Sequence, residues 1–444
     1  MYPIWEVPNL SAGIILALIA TFHILPSHLS VGAMWFNVLI ESKAYREERP
    51  ELLEFIKRYT LLLLIFSYVF GSLSGVGIWF AATVANPRGI SGLIHIYVWG
   101  WATEWVFFIV EVSAIFLYYY TLDKVDRKTH LTIGRIFAVA SWITMIIITG
   151  ILSFMLSPGL WPETGRFFDG FFNQTYWPQL AARTGFMVAI AAVYALAVAT
   201  RVSNIEVRAY VTRMVSLWGA AGLVLGSVML FWYRASLPEP AESVLGMIVP
   251  AGLKIALAAS VGVLIFYFLY ARLRPFAVRT VPAVIAIAVL FAGIWSAERM
   301  REIIRKPYVI SQYLYSNQLR AKSLPAKGIG SDIDTANARG ILTIAPFVPP
   351  SLRRISDANL VEAGRMIALI ECSSCHVLNE TGLRPLPKMI QRLNISEIEP
   401  AEGLLTALHG FPYMPPFAGT AEEKRALASY LTTLSHEGGG PWKP

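Results

Sequence analysis

The chain has 444 residues, 55% of them hydrophobic and only 15% charged, with a mean hydropathy of +0.54. That composition excludes a soluble protein and leaves a polytopic membrane protein. The formal charge of +8 invites a nucleic-acid role, but cytoplasmic loops of membrane proteins collect Lys and Arg, so the positions of the basic residues decide the matter.

Apolar stretches of spanning length run from Leu10 to Ile40, Tyr59 to Ala85, Ile96 to Tyr120, Thr132 to Leu156, Ala181 to Thr200, Met214 to Tyr233, Met247 to Tyr270 and Val281 to Met300. These predict about eight transmembrane helices in an all-α bundle. Lys43, Arg46, Arg49, Lys57 and Arg58 follow the first stretch, and alternate later loops hold Lys124, Arg127 and Lys128, then Arg201, Arg208 and Arg213, then Arg272, Arg274 and Arg279. The remaining loops carry little more than Arg88 and Arg166. The positive-inside rule then places the N-terminus outside, the basic loops in the cytoplasm, and everything after the eighth span on the outer side. The basic excess is a topology signal, so no nucleic-acid partner is expected; the expected surroundings are lipid and a bacterial-type inner membrane. No cleavable leader is expected, since no charged segment precedes the first apolar run.

The first span carries His23, with Pro26 three residues later to loosen the helix. Neutral imidazole in a bundle core suits both a heme ligand and a satisfied polar contact. The third span, WGWATEWVFFIVEVSAIFLYYY, carries Glu104 and Glu111. Seven residues is about two turns, so both acids share one face. Carboxylates are costly in hydrocarbon, and the pair predicts something polar, charged or reactive beside that face.

From about Ser311 the composition becomes polar, and 311–350 reads as a linker over the membrane face. A soluble domain follows at 351–444, with helical patterns in DANLVEAGRMIALI and TAEEKRALASYLTTL and a Gly-rich tail. At this size it needs a staple. Cys372-Ser373-Ser374-Cys375-His376 supplies one, because C-x-x-C-H is the attachment sequence for c-type heme and uses both cysteines of the chain. Two thioether bonds hold the porphyrin and His376 becomes an iron ligand. Met414, in the Pro-stiffened GFPYMPPF, is the expected opposite ligand, ahead of His409. The domain resembles class I cytochromes c, with Gly364 and Tyr430 where the terminal helices cross.

Residues 1–310 resemble subunit I of the cytochrome bd quinol oxidases. TFHILPSHLSVG is similar to the family's first-helix segment, whose heme ligand maps to His23, and GSLSGVGIWF to its Gly-rich second helix. Glu104 and Glu111 resemble the two acids of the family's third helix, with one residue less between them, and His130, Met155 and Pro158-Gly159 match the fourth-helix spacing. Glu302-Ile303-Ile304-Arg305-Lys306-Pro307-Tyr308 resembles E-x-x-R-Q-P-W, whose Glu ligates a high-spin heme; Glu302 is the match and Glu298 its rival. Two departures stand out. The fifth-helix ligand His falls on Thr175, which leaves Met247 without its partner, and the long quinol-binding loop is missing.

The resemblance implies heme b and/or heme d in the membrane half, with His23 and Glu302 as iron ligands and Glu104 and Glu111 as proton-handling groups. Arg299, Arg301 and Arg305 are candidates for heme propionates, against ordinary interfacial arginines. The expected function is a bd-like terminal oxidase fed through its own heme c by a soluble cytochrome c or another periplasmic donor, with further membrane subunits. The alternative is a redox subunit without oxygen chemistry, passing electrons between a quinol pool or a partner enzyme and periplasmic carriers. The sequence leaves open the roles of His28, His95, Met247, Lys254 and Glu298.

Overall fold

The computed structural model describes residues 1–435, so the Gly-rich tail lies outside the described residues. Eight helices are long and apolar enough to cross a membrane: α1 (Ala12–Arg46), α2 (Leu52–Ala85), α3 (Val98–Thr121), α4 (Arg127–Phe154), α5 (Tyr176–Ala199), α6 (Ile205–Ala235), α7 (Ala251–Leu273) and α8 (Thr280–Ile304). They run up and down, so one end of the bundle gathers the basic loops and the other meets the C-terminal residues; we term these the basic face and the C-terminal face.

Local chemistry sets the helix ends. Asp126 accepts the Thr129 amide at the start of α4, and Asn204 accepts the Glu206 and Val207 amides at the start of α6. α1 stays helical through Pro26 and runs six residues past the expected end at Ile40, because Glu41 is buried and hydrogen-bonded there. The seventh span starts at Ala251, after Pro250 at the cap, and Met247 belongs to a separate short helix, Glu239–Met247. Residues Leu63–Phe70 of α2 are wound as a π-helix, a geometry frequent at functional sites.

The main core draws on all eight spanning helices, around Phe55, Tyr59, Phe137 and Phe268. Ile65, Val69, Leu73, Val76 and Phe80 of α2 stand 60–68% exposed in one stripe, which suits a hydrocarbon surround.

The C-terminal residues form a second helical unit with α9 (Leu360–Glu371), α10 (Leu386–Leu393), α11 (Ile398–Ala407) and α12 (Ala421–Thr433). α9 and α12 cross at Gly364, where an added Cβ would run into the Ala426 carbonyl oxygen, so only glycine permits this approach. α12 opens with a capping box between Thr420 and Glu423. Glu423 also accepts the Ile341 and Leu342 amides, both at 2.8 Å.

The stretch 311–350 is packed. Leu319, Ala336, Ile341 and Leu342 join the core of the C-terminal unit, and Tyr308–Ile310 pairs antiparallel with Leu314–Tyr315, a small two-stranded addition to the all-α plan. Asp332 is held by Arg320 at 2.7 Å and by Arg88, from the short helix Pro87–Ile96 that follows α2, at 2.5 Å. The chain start adds a strap: the Asn9 carbonyl accepts the Leu383 amide at 3.0 Å and the Asn9 side chain the Thr381 hydroxyl at 3.1 Å.

Candidate redox site

On α1, His23 places Nδ1 3.1 Å from the Gly71 carbonyl and 3.2 Å from Ser74 Oγ. A carbonyl only accepts, so Nδ1 carries the proton and donates, which leaves the Nε2 lone pair free. That is the tautomer a metal-ligating histidine needs. The Gly-rich C-terminal half of α2 makes room for the ring, since a Cβ on Gly75 would lie 3.1 Å from His23 Cε1.

Glu111 is buried between three helices. Its carboxylate accepts from Tyr68 of the π-helical stretch at 3.2 Å and from Thr144 of α4 at 2.5 Å, and Tyr68 lies 2.9 Å from the Ser30 hydroxyl of α1. Glu104 is half-buried, within electrostatic reach of Glu111, and has no hydrogen-bond partner among the described residues. Two turns separate the acids, so Glu104 stands about 10 Å nearer the C-terminal face.

At the C-terminal face, Glu302 of α8 is buried, ion-paired to Arg299 and 3.2 Å from Lys306 Nζ. It sits against Gly13 of α1, where a Cβ would meet its carboxylate. Ten residues of α1 separate Gly13 from His23, about 15 Å along the axis, so the two expected iron ligands stand at different depths. Arg301 pairs with Glu298 at 2.5 Å. Arg305 is different: Nη1 reaches Met155 Sδ at 3.7 Å, and its buried Nε has no hydrogen-bond partner among the described residues. It lines a small cavity with Arg301, Gln179 and Tyr233. A buried guanidinium with an unused donor fits an anionic group such as a propionate. Arg299 and Arg301 already have carboxylate partners on their own helix.

The C-x-x-C-H segment lies over this cluster. Its cysteines are free thiols. Burial opposes ionisation of Cys375, yet the Lys306 charge and the Ser316 and Ser374 hydroxyls, each 3.6 Å from its sulfur, outweigh it and hold the thiol below its ordinary value. His376 Nδ1 donates to the Arg384 carbonyl at 3.2 Å, again leaving Nε2 free. Burial lowers its pKa to about 4, so the ring is neutral as a ligand must be. Met414 is half-buried in its loop, and the adjacent Tyr413 packs against the small apolar cluster that includes Ile303 and Ile304 at the end of α8. Lys306 therefore touches Glu302 and acts on Cys375, joining both halves at one point.

The residues left open fall into place. His409 and His95 are exposed and bonded to nearby carbonyls; Met247 is 66% exposed; Lys254 reaches out to the Leu245 carbonyl at 2.9 Å; Glu298 serves Arg301. His28 is buried beside Ser27, its Nδ1 3.3 Å from the hydroxyl. The sequence reading missed Tyr68 and Thr144 because aromatic and hydroxyl residues in spans look like ordinary packing. It also missed the pairing of His130 with Glu41. The available signal was Glu41 itself, an acid in the helical continuation of the first apolar run.

Comparison with known proteins supports the membrane half. The family model described as cytochrome bd terminal oxidase subunit I matches residues 12–235, which are 224 of the 444. The chain is similar in fold to the bd oxidase from Geobacillus thermodenitrificans, at 14% identity and a TM-score of 0.52, covering 73% of this chain and 91% of that one. No curated protein matches the chain. With its matched span and its eight membrane-length helices, the chain belongs to the cytochrome bd terminal oxidase subunit I family of membrane oxidoreductases.

Proposed function

We propose that this chain is a membrane electron-transfer subunit whose C-terminal unit, a cytochrome c domain at 351–444 joined through 311–350 to the bundle at 1–310, receives electrons from a soluble periplasmic donor and delivers them to the membrane half for oxygen reduction. The observation that carries the reading is the seating of the Cys372-to-His376 segment directly on the Glu302 cluster, with Lys306 between them. Electron transfer needs close approach, and this arrangement supplies it.

Cys372, Cys375, His376 and Met414 would hold heme c; His23 and Glu302 would ligate b- or d-type heme, with Arg305 on a propionate. Heme held at these positions would supply one-electron carriage and oxygen reduction. Gly71 fixes the His23 tautomer and Arg384 that of His376. Glu111 holds a proton at its carboxylate, fed through the hydroxyls of Ser30 and Tyr68, and Glu104 stands one step nearer the C-terminal face. Reducing one O2 to two waters takes four electrons and four protons, so an acid pair beside the site has a defined task. The α2 stripe meets lipid or a further membrane subunit.

A second reading, a redox subunit without oxygen chemistry, is favoured by one observation: the Glu302 carboxylate is already engaged by Arg299 and Lys306. Oxygen uptake by the purified complex, driven by reduced soluble cytochrome c, decides between them. Steady uptake supports the oxidase, and electron acceptance without uptake supports the second reading.

A further inference from the structure

Around Met414, the prolines Pro412, Pro415 and Pro416 each lock their own φ. A stretch this stiff shifts as one piece, so the anchors at its two ends decide where the thioether stands. The upstream anchor is on the membrane half, where Tyr413 packs into the apolar cluster that includes Val244, Ile303 and Ile304. The downstream anchor is a run of consecutive backbone amides, each donating to a side chain. Ala418 donates to Glu371 at 3.2 Å, Gly419 to Asn337 at 3.0 Å and Thr420 to Glu423 at 3.0 Å. Ala418 and Glu371 are buried, so that first bond is made away from water.

These acceptors come from separate parts of the chain. Glu371 directly precedes Cys372 and ties the Met414 loop to the heme attachment segment. Glu423 also accepts the Ile341 and Leu342 amides, and Asn337 lies on the short helix Asp332–Arg339, so both lead into the stretch 311–350. That stretch is itself pinned to the membrane half. Asp332, the first residue of the short helix, is ion-paired to Arg88. Arg88 further donates to the Gln318 carbonyl at 2.8 Å, and Asn86 beside it donates to the Ser316 carbonyl at 3.0 Å. Asp332 and Asn337 are five residues apart, about 8 Å along the axis. One ion pair, one short helix and one hydrogen bond therefore connect Arg88 of the membrane half to the Gly419 amide.

We propose that the membrane half positions Met414, with Glu371 and Asn337 as positioning residues for the thioether, so that the hold on this ligand weakens when the C-terminal unit leaves its seat. The inference rests on the reading that Cys372 to His376 carries heme c with Met414 as axial ligand. Because Met ligation raises the reduction potential, a seated unit accepts electrons more readily than an unseated one, and accepts them where they can be passed on.

The test uses the purified full-length holo-complex in its oxidised form and follows the near-infrared absorption band that reports the Met sulfur on ferric heme c. Imidazole displaces the thioether and bleaches that band, so the imidazole concentration at half-bleaching measures the hold on Met414. Glu371→Ala should lower that concentration about tenfold, the factor for one buried hydrogen bond, and Asn337→Ala and Arg88→Ala about threefold each, since their bonds are partly exposed. Glu371→Gln, whose amide oxygen accepts the same N–H, should match the wild type. A role in folding alone would lower the melting temperature without moving the imidazole midpoint. Asn337 is exposed, so Asn337→Ala leaves the core intact and decides if Glu371→Ala does not assemble. A wild-type midpoint in assembled Asn337→Ala or Arg88→Ala, or a Glu371→Gln midpoint shifted as far as that of Glu371→Ala, overturns the proposal. Covalent heme that never shows the band overturns it as well, by removing Met414 as the ligand. A wild type without covalent heme would overturn the cytochrome c reading itself, an outcome separate from these.

Discussion

Glu111 allows proton handling to be separated from packing. Glu111→Ala removes the acceptor of two buried hydroxyls, Tyr68 and Thr144. Each has a fallback: Tyr68 can turn to Ser30 at 2.9 Å and Thr144 to the Ala140 carbonyl at 3.2 Å. The cost therefore falls at the low end for lost buried hydrogen bonds, about 1 kcal/mol for each hydroxyl, so about 2 kcal/mol before any cavity is counted. Glu111→Gln keeps the shape and one carbonyl acceptor, and its amide can donate to the other hydroxyl, so it should cost less than about 1 kcal/mol. Gln holds no exchangeable acid proton. Oxygen uptake should therefore fall about a hundredfold or more in Glu111→Gln, within the usual range for proton-transfer groups, while its thermal unfolding in detergent stays near that of the wild type. Glu111→Ala should lose activity and melt several degrees lower. Wild-type turnover in Glu111→Gln would refute the reasoning, as would equal melting of the two variants.

Gly75→Val should push the His23 ring from its place, since even a Cβ there comes within 3.1 Å; the complex should keep heme c and lose non-covalent heme, read by pyridine hemochrome analysis. Cys372→Ala with Cys375→Ala should abolish heme that survives denaturing electrophoresis, whereas Met414→Ala should keep that heme and lower its reduction potential, because loss of the thioether removes an axial ligand that raises it. Asp332→Asn breaks the ties to Arg88 and Arg320, and should destabilise the seating of the C-terminal unit by about 3 kcal/mol, the scale for removing one partner of a buried pair, seen as faster proteolysis within 311–350. Burial opposes the Asp332 charge, but its bonds to Arg320 and the charge of Arg88 hold the carboxyl below the ordinary value. Its folded pKa is depressed, so the stabilisation is complete above the unfolded value of about 3.8 and is lost as pH falls below it. The same proteolysis should therefore accelerate in that acid window in the wild type and show no such window in Asp332→Asn.

What could be read from the sequence was whatever carries a periodic or covalent signature. Eight apolar runs gave eight spans, because hydrocarbon thickness imposes a length on each. The misplaced ends share one cause: Glu41, Lys57 and Pro250 look like terminators, but partners or caps in three dimensions decide whether a helix continues. The stretch 311–350 reads as a linker from its Gly, Pro and charge, yet Asp332 and Arg320 are spent on internal ion pairs and Leu319 and Ile341 on a core, which local composition does not report. His23 and Glu302 were visible by resemblance. Their environments were not, since the Gly71 carbonyl that sets a tautomer and the Lys306 that links Glu302 to Cys375 are long-range neighbours.

The central claim is that electrons pass from a covalent heme over the C-terminal face into heme held by the bundle. The most direct measurement is a heme inventory of the purified complex combined with a carbon monoxide difference spectrum of its reduced form. The account expects heme c together with non-covalent b- or d-type heme, at least one of which binds carbon monoxide. Heme c alone, or membrane heme that shows no carbon monoxide shift, would contradict it.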